Sequence, residues 1–133
     1  TFQTLSRNPV MTGLFGQAAD WTPGHVSLAD RADVFVIAPA TANVIGKLAH
    51  GVADDAVTST ALACSAPLVI APAMNSGMFT HPATTANMAV LEKRGASLVN
   101  AAEGEMACGT VGPGRLAPVE DIVAAVLDAA VVS

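Results

Sequence analysis

Three short, largely apolar runs constrain this chain more than any other feature: Val34-Phe35-Val36-Ile37-Ala38, Leu68-Val69-Ile70-Ala71 and Ser97-Leu98-Val99-Asn100. Runs of four to eight residues, rich in β-branched side chains and closed by Pro, Gly or charge, lack the polar face of a half-wet strand. They belong in the interior of a parallel sheet, with helices on both sides. The segments between them repeat apolar residues at helical spacing, so strand and helix alternate along the chain. This alternation predicts an α/β fold, a three-layer sandwich around a parallel sheet.

Between the first two strands, Thr41 to Ala63 fits two helices, with Gly51 and Asp54-Asp55 marking a break and a new cap. Val44, Leu48, Val52, Val57 and Leu62 are expected to face inward. After the second strand come Pro72-Ala73-Met74-Asn75 and a helix from Thr84 to Arg94, with Met88 and Leu91 inward and Gly95 closing it. Val119 to Val132 carries Ile122, Val123, Val126 and Leu127 at helical spacing and is expected to pack as a terminal helix. Val26 to Arg31 reads as a short helical stretch. Glu103 to Pro118, punctuated by Gly104, Gly109, Gly112, Pro113, Gly114 and Pro118, is a loop long enough to be functional.

The 133 residues fit one domain with one sheet. Although 52% of them are apolar, no run reaches the ~18 residues needed to cross a bilayer. A net charge of −5 argues against a nucleic-acid partner. Cys64 and Cys108 stand in unrelated contexts without a CxxC, which favours neither a disulfide scaffold nor a zinc site, and the expected compartment is the cytoplasm. The chain opens on Thr1-Phe2-Gln3-Thr4-Leu5-Ser6 with no preceding strand. Three strands make a thin sheet, so a first βα unit is expected upstream.

In open α/β sheets, ligands bind beyond the carboxyl ends of the strands. Thr41 and Asn43 follow the first strand and open a helix. Their side chains and the nearby N–H groups can bind an anion or the polar edge of a ring, or make an ordinary N-cap. Asn75 holds the matching place after the second strand, where its amide can donate to a carboxylate or merely close a turn. His25, after Trp21-Thr22-Pro23-Gly24, can act as a base or carboxylate partner, or pack near a helix start. Cys108 sits in the glycine-rich loop, where a thiol can be carried over a bound ligand, and Arg115 offers a charged fork to phosphate or carboxylate. Cys64 and Met78 read as packing residues. His50, at a helix end, and His81, in a polar turn, read as structural.

Taken in order, these segments resemble the homo-oligomeric flavin-containing cysteine decarboxylases. Gly24-His25-Val26-Ser27-Leu28, followed by Ala32-Asp33-Val34, is similar to the family's active-site histidine segment. Ala38-Pro39-Ala40-Thr41-Ala42-Asn43 is similar to its flavin-binding PASANT motif, with Thr41 where Ser is usual and Val44 where the motif ends in Thr. Ala71-Pro72-Ala73-Met74-Asn75-Ser76-Gly77-Met78 resembles its PxMNxxMW motif, with Phe79 replacing Trp. Ala107-Cys108-Gly109, continuing into Gly112-Pro113-Gly114-Arg115, resembles the flap that closes over substrate.

The resemblance spans nearly the whole chain and implies a Rossmann-like or flavodoxin-like decarboxylase domain over residues 1–133. It implies FMN as cofactor, contacted by Thr41, Ala42, Asn43, Val44 and Ala73. The substrate would be 4'-phospho-N-pantothenoylcysteine and the product 4'-phosphopantetheine, on the route to coenzyme A. By the same resemblance, His25 is a base or electrostatic partner in oxidation of the cysteine moiety, Asn75 holds the carboxylate, and Cys108 donates the last proton. Met78, Ala107 and Arg115 complete the substrate contacts. Family members build the site between subunits of a homotrimer, often as a dodecamer of four trimers, and some are fused to a phosphopantothenate–cysteine ligase domain. Their first strand and glycine-rich turn would precede Thr1, roughly 45 residues. A peptidyl-cysteine decarboxylase and a non-catalytic regulatory module of the same fold are the alternatives.

Overall fold

The structure, a computed structural model, describes residues 29–100 and 113–132. Their elements run β1 (Phe35–Ala40), α1 (Ala42–His50), α2 (Ala56–Ala63), β2 (Leu68–Pro72), α3 (Ser76–Thr80), α4 (Pro82–Lys93), β3 (Ser97–Leu98) and α5 (Val119–Val132). The strands form one parallel sheet in the order β1-β2-β3. Alternation along β2 builds a core on each face. Ile70 points to one side with Ile37 and Ala40 of β1, where it meets Ile45 and Ala49 of α1 and Met88 and Leu91 of α4. Val69 and Ala71 point to the other, with Val99 and Ala117, against Ile122, Ala125, Val126 and Ala129 of α5. Ile45, Val69 and Ile70 are fully buried, each burial being worth about 1.5–3 kcal/mol. The expected three layers are therefore α1 with α4, the sheet, and α5.

The strand edges differ from expectation in an explicable way. β1 runs on to Ala40, and its register against β2 shifts between Ile37 and Ala40. Pro39 has no N–H to give the ladder, which a strand at the edge of the sheet formed by the described residues tolerates with a local irregularity. β3 ends at Leu98, and Asn100 instead forms an isolated antiparallel bridge with Leu116. The chain after β3 thus returns beside it.

Caps fix the helices where the sequence places them. Thr41 Oγ1 accepts the Val44 N–H at 3.2 Å to open α1, and Gly51, at φ 73°, ends it while the Val52 N–H reaches the Lys47 carbonyl. Asp55 opens α2 with a capping box: its carboxylate accepts the Thr58 N–H at 2.8 Å, and its own N–H donates to Thr58 Oγ1 at 3.2 Å. The Thr58 amide holds the Asp55 carboxyl below its ordinary value of 3.8, against a smaller opposing effect of partial burial. α4 starts at His81, whose Nδ1 accepts the Ala83 N–H at 2.9 Å, and closes at Gly95, at φ 103°. Arg94 then reaches across to the end of α1, donating to the Leu48 and Ala49 carbonyls at 3.3 and 2.9 Å.

Several inward assignments need correction. Val52, Val57 and Leu62 are exposed, while Ile45, Ala49, Thr58 and Thr60 are buried. In α2, Ala56-Val57-Thr58-Ser59-Thr60-Ala61-Leu62-Ala63, small residues lie on every side, so no apolar stripe dictates the inner face. Tertiary packing does so instead, burying Thr58 and Thr60. Val52 and Leu62 line a cavity of about 310 Å³ at the amino-terminal end of the sheet, together with Cys64, Leu68 and Arg94. Cys64, expected to be buried, is half-buried there, with Sγ 3.7 Å from the Ala29 carbonyl. On α5, Ile122 and Val126 pack inward but Val123 and Leu127 are exposed. Ala29 to Arg31 are helical; the rest of the expected 26–31 stretch lies outside the described residues.

Candidate active site

At the carboxyl ends of β1 and β2, main-chain hydrogen bonds hold three segments side by side. The Ala73 N–H donates to the Ala40 carbonyl at 2.9 Å, and the Met74 N–H donates to the Gly114 carbonyl at 2.8 Å. Segments 40–43, 73–75 and 113–115 therefore share the end of the sheet at which open α/β folds bind ligands. Thr41, Asn43, Asn75 and Arg115 are all exposed on these segments. The 310 Å³ cavity lies at the opposite end and takes no part in this arrangement.

Asn75 is the best-defined of these groups. It caps α3, an element the sequence did not announce, and its Oδ1 accepts the Met78 N–H at 2.8 Å. With that oxygen committed to the backbone, no hydrogen bond joins the amide nitrogen to another of the described residues, and its N–H groups can donate to a ligand. Such a fixed donor suits a carboxylate. Thr41 is likewise a true N-cap, so the capping role weighed for Thr41 is the one the structure has, and the cap fixes its side chain beside the neighbouring N–H groups. Asn43 is exposed on the first turn of α1, Ala42 is half-buried, and Val44 packs against the core cluster of α1 and α4. Ala73 is half-buried directly beside Ala40. Small side chains at 42 and 73, with hydroxyl and amide groups at 41, 43 and 75, form a donor and acceptor set that fits the flat face and polar edge of a fused-ring cofactor.

Arg115 is exposed beside the Gly114–Met74 bond, and no hydrogen bond or ion pair joins its guanidinium to another of the described residues. Met78, read from its residue type as core, is exposed on α3. The reason is the Asn75 cap, which starts a short surface helix instead of an inward turn. His25, Ala107 and Cys108 lie outside the described residues. His50 bonds Asn87 at 3.2 Å and His81 caps α4, the structural roles expected of them. What the sequence reading missed is Gly114 as an individual residue: it is buried against the Asn75 loop, and only the Pro-Gly pair at 113–114 signalled a tight approach.

The sequence pattern of the family described as Flavoprotein matches residues 1–131. The chain belongs to the flavoprotein family. A flavin is accordingly the class of cofactor that goes with it. This flavoprotein is 51% identical over 123 residues to the coenzyme A biosynthesis bifunctional protein CoaBC of Bacillus subtilis (strain 168), covering 92% of the chain but only 30% of that protein. It is 42% identical over 125 residues to a probable phosphopantothenoylcysteine decarboxylase of Streptococcus mutans serotype c, covering 92% of the chain and 70% of that protein. Among solved structures it resembles a PPC decarboxylase variant complexed with pantothenoylaminoethenethiol, at 31% identity and a TM-score of 0.77, over 93% of this chain and 73% of the other. The flavodoxin-like architecture of that decarboxylase is the one described above for this flavoprotein.

Proposed function

We propose that this flavoprotein carries out FMN-dependent decarboxylation of 4'-phospho-N-pantothenoylcysteine to 4'-phosphopantetheine. The observation that carries the reading is the main-chain tie that sets the Asn75 amide, the Thr41 cap and Arg115 on one end of the sheet. Similarity to CoaBC and to phosphopantothenoylcysteine decarboxylases supports the choice of substrate.

In this reading Thr41, Ala42, Asn43, Val44 and Ala73 hold the cofactor. FMN, when bound, supplies the two-electron redox chemistry that the protein cannot. The chain's own groups orient the substrate. Asn75 donates its free N–H groups to the cysteinyl carboxylate, Arg115 offers a fork to the phosphate, and Met78 and Ala107 flank the substrate. From the resemblance, His25 serves as base or electrostatic partner and Cys108 delivers the final proton. The reading also carries a homotrimeric or dodecameric assembly, a cytoplasmic setting and fusion to a ligase domain, as in the bifunctional relatives.

The test is a visible spectrum of the purified protein, analysis of the flavin released on denaturation, and mass analysis of its reaction with the substrate. The expected result is a yellow protein that releases FMN and forms phosphopantetheine with loss of CO2. His25→Asn is expected to block the first step, and Cys108→Ser to stop after CO2 is lost. A colourless protein inert toward this substrate would refute the reading and favour a non-catalytic module.

A further inference from the structure

We propose that Gly114 is a positioning residue for Asn75, acting through the backbone rather than by touching substrate. The inference rests on the assignment of Asn75 as the carboxylate-holding group. Gly114 is buried, sits at φ 107° and accepts the Met74 N–H at 2.8 Å, outside any strand ladder. A Cβ added there would overlap the Met74 carbonyl oxygen and stand 3.1 Å from Phe79 Cβ and 3.3 Å from the Asn75 carbonyl oxygen. Two of those three atoms belong to the backbone, so no rotamer change relieves the collision. The 74–75 backbone has to move.

That movement would reach the Asn75 side chain by a short route. The Asn75 carbonyl accepts the Phe79 N–H at 3.0 Å, and its Oδ1 accepts the Met78 N–H at 2.8 Å. α3 has five residues, too few to hold its shape without its cap. Displacing the 74–75 backbone therefore loosens the bond that aims the free amide of Asn75. The bare Cα at 114 lets the third segment close against the second without disturbing this aim.

Gly95 supplies an internal control. Its φ of 103° nearly equals that of Gly114, but a Cβ there would meet nothing within 4 Å. Gly95→Ala thus imposes similar torsional strain without the collision, far from the candidate site. The experiment is amide hydrogen exchange on the full chain, parental, Gly114→Ala and Gly95→Ala, with kcat and KM for each and for Gly114→Ala in an Asn75→Ala background.

Gly114→Ala is expected to lower the protection of the Met74 and Met78 amides about tenfold or more. It should also lower kcat/KM about a hundredfold, and cost less than about threefold further once Asn75 is already Ala. Gly95→Ala should leave both amides at parental protection and kcat/KM within about twofold. Equal effects of the two alanines, unchanged Met74 and Met78 protection in Gly114→Ala, or additive losses with Asn75→Ala would each overturn the proposal. Should Gly114→Ala fail to fold, the parental chain decides, because a Met74 amide exchanging at the unfolded rate is incompatible with a Gly114 latch. A parental protein inert toward the substrate would count against the function proposed above, while the exchange comparison would still decide the latch.

Discussion

Replacing Asn75 by Asp separates the two roles of this side chain. Asp and Asn rank together as N-caps, and the Asp carboxylate can still accept the Met78 N–H that Asn75 Oδ1 accepts at 2.8 Å. Stability should therefore change by no more than about 0.5 kcal/mol. At the substrate end the change is large. The variant loses a hydrogen bond to a charged group, about 1.5–3 kcal/mol, and places a second negative charge near the substrate carboxylate, about 1–4 kcal/mol at 4 Å depending on solvent access. The total is about 2.5–7 kcal/mol, roughly 70-fold or more in kcat/KM. Asn75→Ala gives the opposite balance. It loses the cap, about 1 kcal/mol and roughly 3–5 °C in Tm for a domain of this size, but it adds no repulsion, so its activity should fall only about 10- to 200-fold. The assay is a pair of thermal melts with steady-state kinetics on both variants. The expected ranking is inverted between the two measurements, with Asp the more stable and the less active. An Asp variant as active as the Ala variant would show that no substrate carboxylate meets this amide.

The other expectations concern separate parts of the fold. Asp55→Ala removes the carboxylate half of the α2 capping box, leaving the residue 55 N–H to donate to Thr58 Oγ1, and should cost about 1 kcal/mol in urea unfolding at neutral pH, whereas Asp55→Asn should cost only a few tenths of that. Because the Thr58 amide depresses the Asp55 carboxyl, its stabilisation is fully present above the unfolded value near 3.8 and fades as pH falls through the lower folded value. Stability measured downward from pH 4 should thus decline less steeply in Asp55→Asn than in the parent. Ile45→Ala, at a fully buried position between α1 and the sheet, should cost about 2–5 kcal/mol by denaturant titration. Arg115→Ala should raise KM about tenfold or more with kcat little changed, and the effect should vanish with a substrate analogue lacking the phosphate.

Much of this architecture was legible because local chemistry and burial agree. The run Leu68-Val69-Ile70-Ala71 could only be a strand buried on both faces, and it is the centre of the sheet. Gly51 and Asp55 marked the break between α1 and α2 because each has a local job, a left-handed turn and a capping box. Facing was harder in α2, where Val57 and Leu62 are exposed and Thr58 and Thr60 buried: its small residues offer no stripe, and only the tertiary arrangement chooses a side. α3 went unseen because five residues carry no periodicity, and the Asn75 signal fitted a turn equally well. The candidate residues Thr41, Asn43 and Asn75 could be located at one end of the sheet because each follows a strand. Their convergence depends on main-chain bonds between segments 40, 73–74 and 114, which side-chain patterns do not encode.

Those bonds run from Ala40 to Ala73 and from Met74 to Gly114, and none of them involves an R group. The inter-segment frame thus places no demand on the side chains of Asn43 or Arg115, whereas Thr41 and Asn75 must still cap their helices and position 114 must stay bare. Redesigning the ligand preference of such a protein becomes a matter of libraries at 43 and 115, with positions 41 and 75 restricted to capping residues and the underlying peptide frame left alone.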